Sequence, residues 1–259
     1  MSGEGRVTVA RSDAVATVWF DRPEARNSLT TAMYDQFAAA CQALAADEDV
    51  RVVVFRGVGG KAFVAGTDIA GFLDFTSGDD GVAYERESEA HLKALVSIRV
   101  PTVAVIEGFA VGGGLNIAAG CDLRIATTGS RFGVPIAKTL GNCLAMSNYA
   151  RLVSGFGESR AKRMLLLGDL LSADEARDAG FLARLAEPEA IDETLRMVLD
   201  TLLSNAPLTL EVSKEAIGRV QARDVPNGDD LIRRIYGSAD FKAGVAAFTS
   251  KAKPVWQGK

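Results

Sequence analysis

Histidine and cysteine are scarce in this sequence, which limits the chemistry that it can perform. Of its 259 residues, one is histidine, His91, and three are cysteines. Cys41, Cys121 and Cys143 are scattered and odd in number, so we expect no disulfide framework, no zinc site and a reducing, cytoplasmic location. A single histidine in a charged segment also argues against a serine triad, and the sequence has no Gly-x-Ser-x-Gly elbow. We therefore predict no metal.

The sequence also lacks long apolar runs and an excess of basic residues. No stretch approaches the roughly 18 apolar residues of a membrane-spanning helix, and the first six residues lack the apolar region of a secretory signal. Lys and Arg total 29 against 33 Asp and Glu, and this net charge of −4 is not typical of a nucleic-acid binder. We therefore expect neither membranes nor nucleic acids among the partners. A hydrophobic content of 48% instead predicts a globular protein.

Strand patterns alternate with helix patterns in the first part of the chain, and helices alone follow. Residues 7–10 and 15–20 predict a β-hairpin, and the apolar runs 52–55 and 102–106 predict strands covered on both faces. This order favours an α/β core followed by a helical region. We place the core at residues 1–200 and the helical region at residues 201–259.

Local signals give three further predictions. Thr30 or Thr31 can cap a helix that runs to about Ala46. The polar residues 77–81 predict a mobile loop. Residues 57–62 loosely fit a dinucleotide-binding fingerprint, but no long helix opens there, which disfavours an NAD-dependent oxidoreductase.

Two glycine-rich segments are more informative as a pair. Residues 61–69 read Lys-Ala-Phe-Val-Ala-Gly-Thr-Asp-Ile, and residues 108–116 read Gly-Phe-Ala-Val-Gly-Gly-Gly-Leu-Asn. Each places small residues between a strand and a helix, where backbone N–H groups are free and a ligand can approach the main chain. Two such groups that converge on one carbonyl oxygen would form an oxyanion hole. The alternative is a pair of tight turns that only let helices pack on strands.

With its other motifs, the sequence resembles the crotonase superfamily, also called the enoyl-CoA hydratase/isomerase family, over nearly its whole length. The additional motifs are Asp21-Arg22-Pro23 with Asn27, Cys121-Asp122-Leu123-Arg124, Phe132-Gly133-Val134-Pro135, residues 176–181 and the tail at residues 240–248. The resemblance implies a spiral of ββα units with a helical C-terminal trimerisation region, in a homotrimer or a dimer of trimers.

The resemblance also implies an acyl-CoA ligand and no other cofactor. Matched by motif, the backbone N–H groups of Thr67 and Gly113 would bind the thioester oxygen. Backbone near Ala65, Thr67 and Ile69 would meet the adenine, and Arg26 would assist at the phosphates. Phe248 and Lys251 match tail positions that contact CoA from a neighbouring subunit, although Lys251 can also be an ordinary solvated lysine.

The chain departs from the resemblance where hydratases of the family carry two glutamates. Those positions are Asn116 and Ile136. An amide does not exchange protons near neutral pH, and an isoleucine has no polar group, so we expect ordinary hydration to be impaired. Asn116 can hold a water or be satisfied by the backbone.

Three other side chains are weaker candidates for a catalytic role. Cys143 lies on a loop where some relatives carry a catalytic aspartate, and a helix N-terminus there would lower its pKa, although a buried, inert thiol is the alternative. Glu89 and His91 lie on the helix that lines the acyl pocket in relatives, and the alternative is that both are solvated.

The resemblance leaves the reaction open. Decarboxylation, hydrolysis or isomerisation of an acyl-CoA is compatible with an oxyanion hole that lacks both glutamates. The alternative is a member of the family that binds acyl-CoA without turning it over.

Overall fold

Ten strands in the described part of the chain form two sheets. The computed structural model describes residues 5–221 and 227–257. Parts of the predicted core and of the predicted helical region therefore lie outside it. Residues 1–4, which belong to the segment without a secretory-signal pattern, are among them. The strands are β1 (Arg6–Ser12), β2 (Val15–Asp21), β3 (Val52–Gly57), β4 (Ala62–Val64), β5 (Thr102–Ile106), β6 (Phe109–Val111), β7 (Leu123–Thr127), β8 (Arg131–Gly133), β9 (Leu171–Ser172) and β10 (Arg184–Ala186).

Helices follow the strand pairs and then make up most of the C-terminal part. They are α1 (Thr31–Ala46), α2 (Gly78–Val96), α3 (Gly113–Gly120), α4 (Ile136–Thr139), α5 (Met146–Leu166), α6 (Ala173–Asp178), α7 (Ile191–Ser204), α8 (Pro207–Gln221), α9 (Asp229–Tyr236) and α10 (Ala239–Thr249). The Thr30 side chain caps α1 by accepting the N–H of Met33, as predicted.

The order of strands in the sheets confirms the spiral of ββα units. The larger sheet has the order β1-β2-β3-β5-β7-β10, and the smaller has the order β4-β6-β8-β9. The consecutive pairs β3–β4, β5–β6 and β7–β8 each contribute one strand to each sheet, and a helix follows each pair. The pairings β4–β6 and β6–β8 are parallel, so successive turns stack in the same direction.

The larger sheet is covered on both faces, as the apolar runs predict. All residues of β5 are buried, and α1 packs its buried face on one side of the sheet. On the other side, α7 packs against the central strands through Ile191, Leu195, Val198, Leu199 and Leu202. The proposed boundary at residue 200 therefore falls within a helix that belongs partly to the core.

One local prediction is wrong. Residues 78–81 are not a loop but the first turn of α2, because Ser77 and Asp80 form a reciprocal capping box. Elsewhere, α5 consists of two helical segments that meet at Gly157, whose φ of +74° and ψ of 157° are non-helical. The strand β10 begins at Arg184, after Phe181, which stacks on Phe156 in the core.

Among residues 5–221 and 227–257, no helix combines the length and hydrophobicity needed to cross a bilayer.

Candidate functional site

The two glycine-rich segments meet where β4 and β6 end. Ala62 pairs with Phe109 and Val64 with Ala110 in parallel register, so the chain leaves both strands at the same edge. A Cβ placed on Gly112 would lie 3.8 Å from the Cα of Gly66. The sequence prediction that these segments belong together is confirmed at the level of backbone placement.

Within residues 5–221 and 227–257, the N–H groups of Thr67 and Gly113 donate no hydrogen bond to the local backbone. Gly113 is the first residue of α3, whose N-terminal N–H groups have no partner within the helix. Gly112 precedes it with φ +55°, a conformation that favours glycine. In the parallel bridge between Leu29 and Thr67, the Leu29 N–H donates to the Gly66 carbonyl, and the Asp68 N–H donates to the Leu29 carbonyl. The N–H of Thr67, which lies between these two residues, therefore points away from Leu29.

Tyr34 brings a hydroxyl to the same place. A Cβ on Gly113 would lie 2.3 Å from the Tyr34 hydroxyl oxygen and 2.9 Å from Thr67 Oγ1. The two hydroxyl oxygens are 2.8 Å apart and share a hydrogen bond. Burial raises the pKa of Tyr34 to about 12, so its hydroxyl stays protonated near neutral pH. The sequence analysis did not identify Tyr34, although it lies one position after Met33 on the buried face of α1.

A cavity of about 360 Å³ opens beside these hydroxyls, between α1, α2 and the short 3₁₀ turn at residues 70–74. Its lining includes Tyr34, Thr67, Phe72, Phe75, Tyr84 and His91. The carboxylate of Asp68, also in the lining, is paired with the buried Arg22 guanidinium at 2.9 Å. The cavity therefore has an aromatic interior in contact with the Thr67 side of the site.

Asn116 and Ile136 are the two residues predicted to replace the glutamates of the hydratases. Asn116 lies one turn after Gly113 on α3 and is 5% exposed. That its amide holds a water, or is satisfied by the backbone, stays a prediction. Ile136 begins α4, packs against the core and lines a second, mostly apolar cavity of about 420 Å³.

Cys143 lines the same second cavity and is partly buried. Burial raises the pKa of its thiol to about 12, and the nearby Glu85 carboxylate adds to this effect. This shift is opposite to the lowering that a helix N-terminus would give, and it favours the alternative of an inert thiol. Cys143 is protonated near neutral pH.

Glu85 is a buried carboxyl that the sequence analysis missed. It is 3% exposed and accepts hydrogen bonds from the Tyr236 hydroxyl at 2.7 Å and from the Ala145 N–H at 2.8 Å. Burial raises the pKa of Glu85 to about 7, and the two hydrogen bonds, which lower it, offset only part of this rise. Its spacing of three from Val82, on the buried face of α2, is the sequence signal that would have placed it inside.

Neither Glu89 nor His91 is a freely solvated side chain. Glu89 accepts a hydrogen bond from the Ser147 hydroxyl at 2.5 Å. The His91 side chain is 12% exposed and stacks on the Tyr34 ring, with a centroid distance of 5.3 Å. With Asp35 and Glu87 it forms a group whose potential ligand atoms lie within 4.8 Å of one another, but both acids are exposed and such groups commonly hold no ion.

The residues predicted to contact CoA fall into two groups. Arg26 and Ala65 are neighbours, since the Ala65 N–H donates to the Arg26 carbonyl at 3.1 Å, and the Arg26 guanidinium lies over the Phe109 ring. Ile69 is buried in the aromatic cluster around Phe72. The second group is in the C-terminal tail, where Phe248 is 50% exposed near the end of α10 and Lys251 follows it at the surface with φ +55°.

Comparison with known proteins gives a family for this arrangement. The enoyl-CoA hydratase/isomerase family model matches residues 10–259. The chain is 32% identical to the (E)-benzylidenesuccinyl-CoA hydratase of Thauera aromatica, over 97% of this chain and 99% of that protein. It is 29% identical to the short-chain-enoyl-CoA hydratase of Clostridium acetobutylicum, over 95% of each chain.

Solved structures agree with this result. A crystal structure of an enoyl-CoA hydratase/carnithine racemase from Magnetospirillum magneticum is 32% identical, with a TM-score of 0.79 over 98% of this chain and 96% of that one. A methylmalonyl-CoA decarboxylase in complex with 2-nitronate-propionyl-CoA has a TM-score of 0.89 over 98% of each chain, and at 24% identity this likeness concerns the fold alone. The chain belongs to the enoyl-CoA hydratase/isomerase family, within the crotonase superfamily.

Proposed function

We propose that this chain is an enzyme that binds an acyl-CoA thioester and holds its thioester oxygen with the backbone N–H groups of Thr67 and Gly113. The observation that carries the proposal is the convergence of the two glycine-rich segments, with the Gly113 Cα against the Thr67 side chain. Two preorganised N–H donors would stabilise the negative charge that develops on this oxygen in an enolate or a tetrahedral intermediate. The names of two relatives, the (E)-benzylidenesuccinyl-CoA hydratase and the short-chain-enoyl-CoA hydratase, support this substrate class.

The reaction that we propose is not efficient hydration. Hydration needs a group that gives a proton and a group that activates water, and Asn116 and Ile136 supply neither. Decarboxylation of an acyl-CoA needs little beyond the oxyanion hole, because the departing carbon dioxide leaves the enolate directly. Hydrolysis or isomerisation would require a further group. The protonated thiol of Cys143 favours the second candidate, a family member that binds acyl-CoA without turning it over.

For the CoA moiety we propose contacts with Arg26 and with the backbone near Ala65 and Ile69. Phe248 and Lys251 would contact CoA in a neighbouring subunit, and no cofactor other than the CoA of the substrate is required. The cysteines Cys41, Cys121 and Cys143 are all free, which supports a cytoplasmic location.

A homotrimer or dimer of trimers is also part of the proposal. The apolar residues of α7 are used within the chain, whereas those of α8 remain exposed: Leu208, Val212, Ile217 and Val220 are 59–74% exposed. Since a large exposed apolar stripe marks an interaction surface, we expect a second copy to cover α8. Light scattering should give a multiple of the 27.3 kDa chain mass, and a monomer at micromolar concentration would contradict this expectation.

The proposal can be tested with a panel of enoyl-, malonyl- and hydroxyacyl-CoA thioesters. Calorimetry should give one site per chain, and Lys251→Ala should weaken binding by about 1–2 kcal/mol, as for a hydrogen bond to a charged group. Mass spectrometry of the incubated thioesters identifies the reaction, whereas binding without any product would favour the second candidate. Failure to bind every thioester would refute the proposal. Hydration of crotonyl-CoA at tens per second, an ordinary rate for an enzyme, would show that another residue supplies the proton chemistry.

A further inference from the structure

Three residues with hydroxyl groups line the cavity beside the proposed thioester site. Tyr34 on α1 and Thr67 share a hydrogen bond at 2.8 Å. The third is Tyr84 on α2. All three residues line the 360 Å³ cavity. We call Tyr34, Thr67 and Tyr84 the hydroxyl trio.

Counting hydrogens shows that the pair of Tyr34 and Thr67 has one donor left over. Each hydroxyl has one hydrogen to donate, and one hydrogen bond connects the two oxygens. One hydrogen is thus used between them, and the other is available to a ligand. If Thr67 donates to Tyr34, the available hydrogen is on Tyr34.

The position of Gly113 shows where this hydrogen would act. The Tyr34 oxygen lies 2.3 Å from the position that a Cβ would take on Gly113, so the hydroxyl occupies the space beside the second backbone donor. Thr67, the residue of the first backbone donor, holds the same hydroxyl on its other side. The Tyr34 oxygen is therefore next to both residues that provide the proposed donors.

Two features restrain the direction of the Tyr34 hydroxyl and keep it protonated. Its ring stacks on His91 at an interplanar angle of 14°, which restrains the direction of the hydroxyl. Burial raises its pKa to about 12, and that of Tyr84 rises for the same reason, so neither hydroxyl ionises near neutral pH. The protonation state of the hydroxyl trio is therefore constant over the range in which the protein would work.

We propose that the Tyr34 hydroxyl is a third hydrogen-bond donor to the thioester oxygen, beside the N–H groups of Thr67 and Gly113. This inference rests on the proposed function. It favours thioesters whose reaction places a negative charge on that oxygen, in an enolate or a tetrahedral intermediate. A site without both glutamates then compensates with stronger binding of the charged oxygen.

The experiment uses acetoacetyl-CoA as the probe, because its enolate has a distinct ultraviolet absorbance. A pH titration of the bound thioester measures how strongly the site favours the enolate. Tyr34→Phe should raise the midpoint by about one pH unit, a tenfold loss of enolate at fixed pH, as expected for a hydrogen bond to a charged oxygen. The affinity for butyryl-CoA, which does not form an enolate under these conditions, should change less than threefold.

Three further variants separate this role from a structural one. Thr67→Val keeps the backbone donor but removes the partner of Tyr34, so it should shift the midpoint in the same direction. Thr67→Ser keeps a hydroxyl for Tyr34 and should shift the midpoint less than Thr67→Val does. Tyr149→Phe removes a hydroxyl that lies outside the hydroxyl trio and accepts the Leu144 N–H at 3.5 Å, and should not move the midpoint.

Each outcome bears on one of the two proposals. If Tyr34→Phe leaves the midpoint unchanged, or weakens butyryl-CoA binding as much as it shifts the enolate, then Tyr34 is not a donor to the thioester oxygen. If the unchanged protein binds neither thioester, the proposed function is refuted, and this inference with it. If both thioesters bind and only the enolate responds to Tyr34→Phe, both proposals stand.

Discussion

The side of the candidate site that would hold a thioester oxygen is made of main chain, whereas the side that would move protons is made of side chains. Thr67 and Gly113 offer N–H groups whose directions follow from a parallel bridge and a helix N-terminus. On the other side, Asn116, Ile136 and Cys143 offer an amide, a hydrocarbon and a protonated thiol. The fold itself thus preserves the first side, while single substitutions can change the second.

The largest expected effect comes from disturbing the main-chain side with Gly113→Ala. The added methyl would displace the ends of the Tyr34 and Thr67 side chains, and with them the geometry around both donors. Losing one oxyanion donor costs about 10²- to 10³-fold, and we expect a comparable loss of enolate from bound acetoacetyl-CoA. Gly129→Ala is the control, because its methyl would meet nothing within 4 Å. A Gly113→Ala protein with an undiminished enolate signal would show that this glycine is not part of the site.

The second prediction introduces two carboxyl groups on the side that would move protons, with Asn116→Glu combined with Ile136→Glu. Hydration of crotonyl-CoA should rise by at least about 10²-fold, while each single variant gains little because two carboxyls act together on one water. The apolar cavity around Ile136 will raise the pKa of the new carboxyl there, so the gain should depend on pH. The loss of enoyl absorbance measures the rate.

The matched control for this pair is Asn116→Gln with Ile136→Gln, which adds similar volume without an ionisable group. An equal gain in this control would mean that space, not proton transfer, limits hydration.

The third prediction concerns Glu85, the buried carboxyl between the two sides. Its pKa is raised from an ordinary value of 4.5 to about 7, so its contribution to stability is complete below about pH 4.5 and is lost as the pH rises to about 7. Glu85→Gln keeps the shape and removes the charge, and should stabilise the protein by about 3 kcal/mol above pH 7.5 but hardly at pH 4.5. Denaturant unfolding at the two pH values measures this difference.

Glu89→Gln is the control for that measurement, since Glu89 lies one turn further along α2 and accepts a hydrogen bond from Ser147. Because the Glu89 charge contributes to the raised pKa of Glu85, this control should give a much smaller effect of the same sign. A stabilisation by Glu85→Gln that is equal at both pH values would contradict the assignment of the effect to a buried charge.

The smallest effect is expected for Cys143→Ser. Because the thiol is protonated near neutral pH, acyl-CoA affinity and any turnover should change by no more than about twofold. Alkylation of Cys143 by iodoacetamide at pH 8 should be much slower than that of a small free thiol. Rapid alkylation, or a large loss of turnover in Cys143→Ser, would show that the Cys143 thiol is reactive and a candidate for catalysis.

The parts of the fold that were predictable from sequence are those set by local pattern. The boundaries of β5 agree with the apolar run at residues 102–106, and the Thr30 cap and the hairpin follow from their sequence signals. The strands β6, β8 and β9 are only two or three residues long and exist through pairing with distant segments, so no local period marks them. The first turn of α2 was missed because a run of Ser, Gly and Asp favours turns as well as caps.

The same distinction applies to the site. The two glycine-rich segments could be found because small residues between a strand and a helix form a local pattern, and the resemblance to the family then pointed to Thr67 and Gly113 within them. Tyr34 and Glu85 were missed because their significance depends on what the fold brings to them: a hydroxyl 33 residues away for Tyr34, and a tyrosine 151 residues away for Glu85. Burial of a polar side chain by remote elements leaves little trace in the flanking sequence.

The parallel bridge between Leu29 and Thr67 has a consequence for mutational tolerance. The direction of the Thr67 N–H is set by the hydrogen bonds that Gly66 and Asp68 make with Leu29. Every amino acid except proline has this N–H. In a saturation library, position 67 should therefore accept many side chains without losing its backbone donor, whereas position 113 should accept little besides glycine. Natural variation can then alter the side chain at position 67, and with it the support of the Tyr34 hydroxyl, while the backbone N–H stays in place from one sequence to the next.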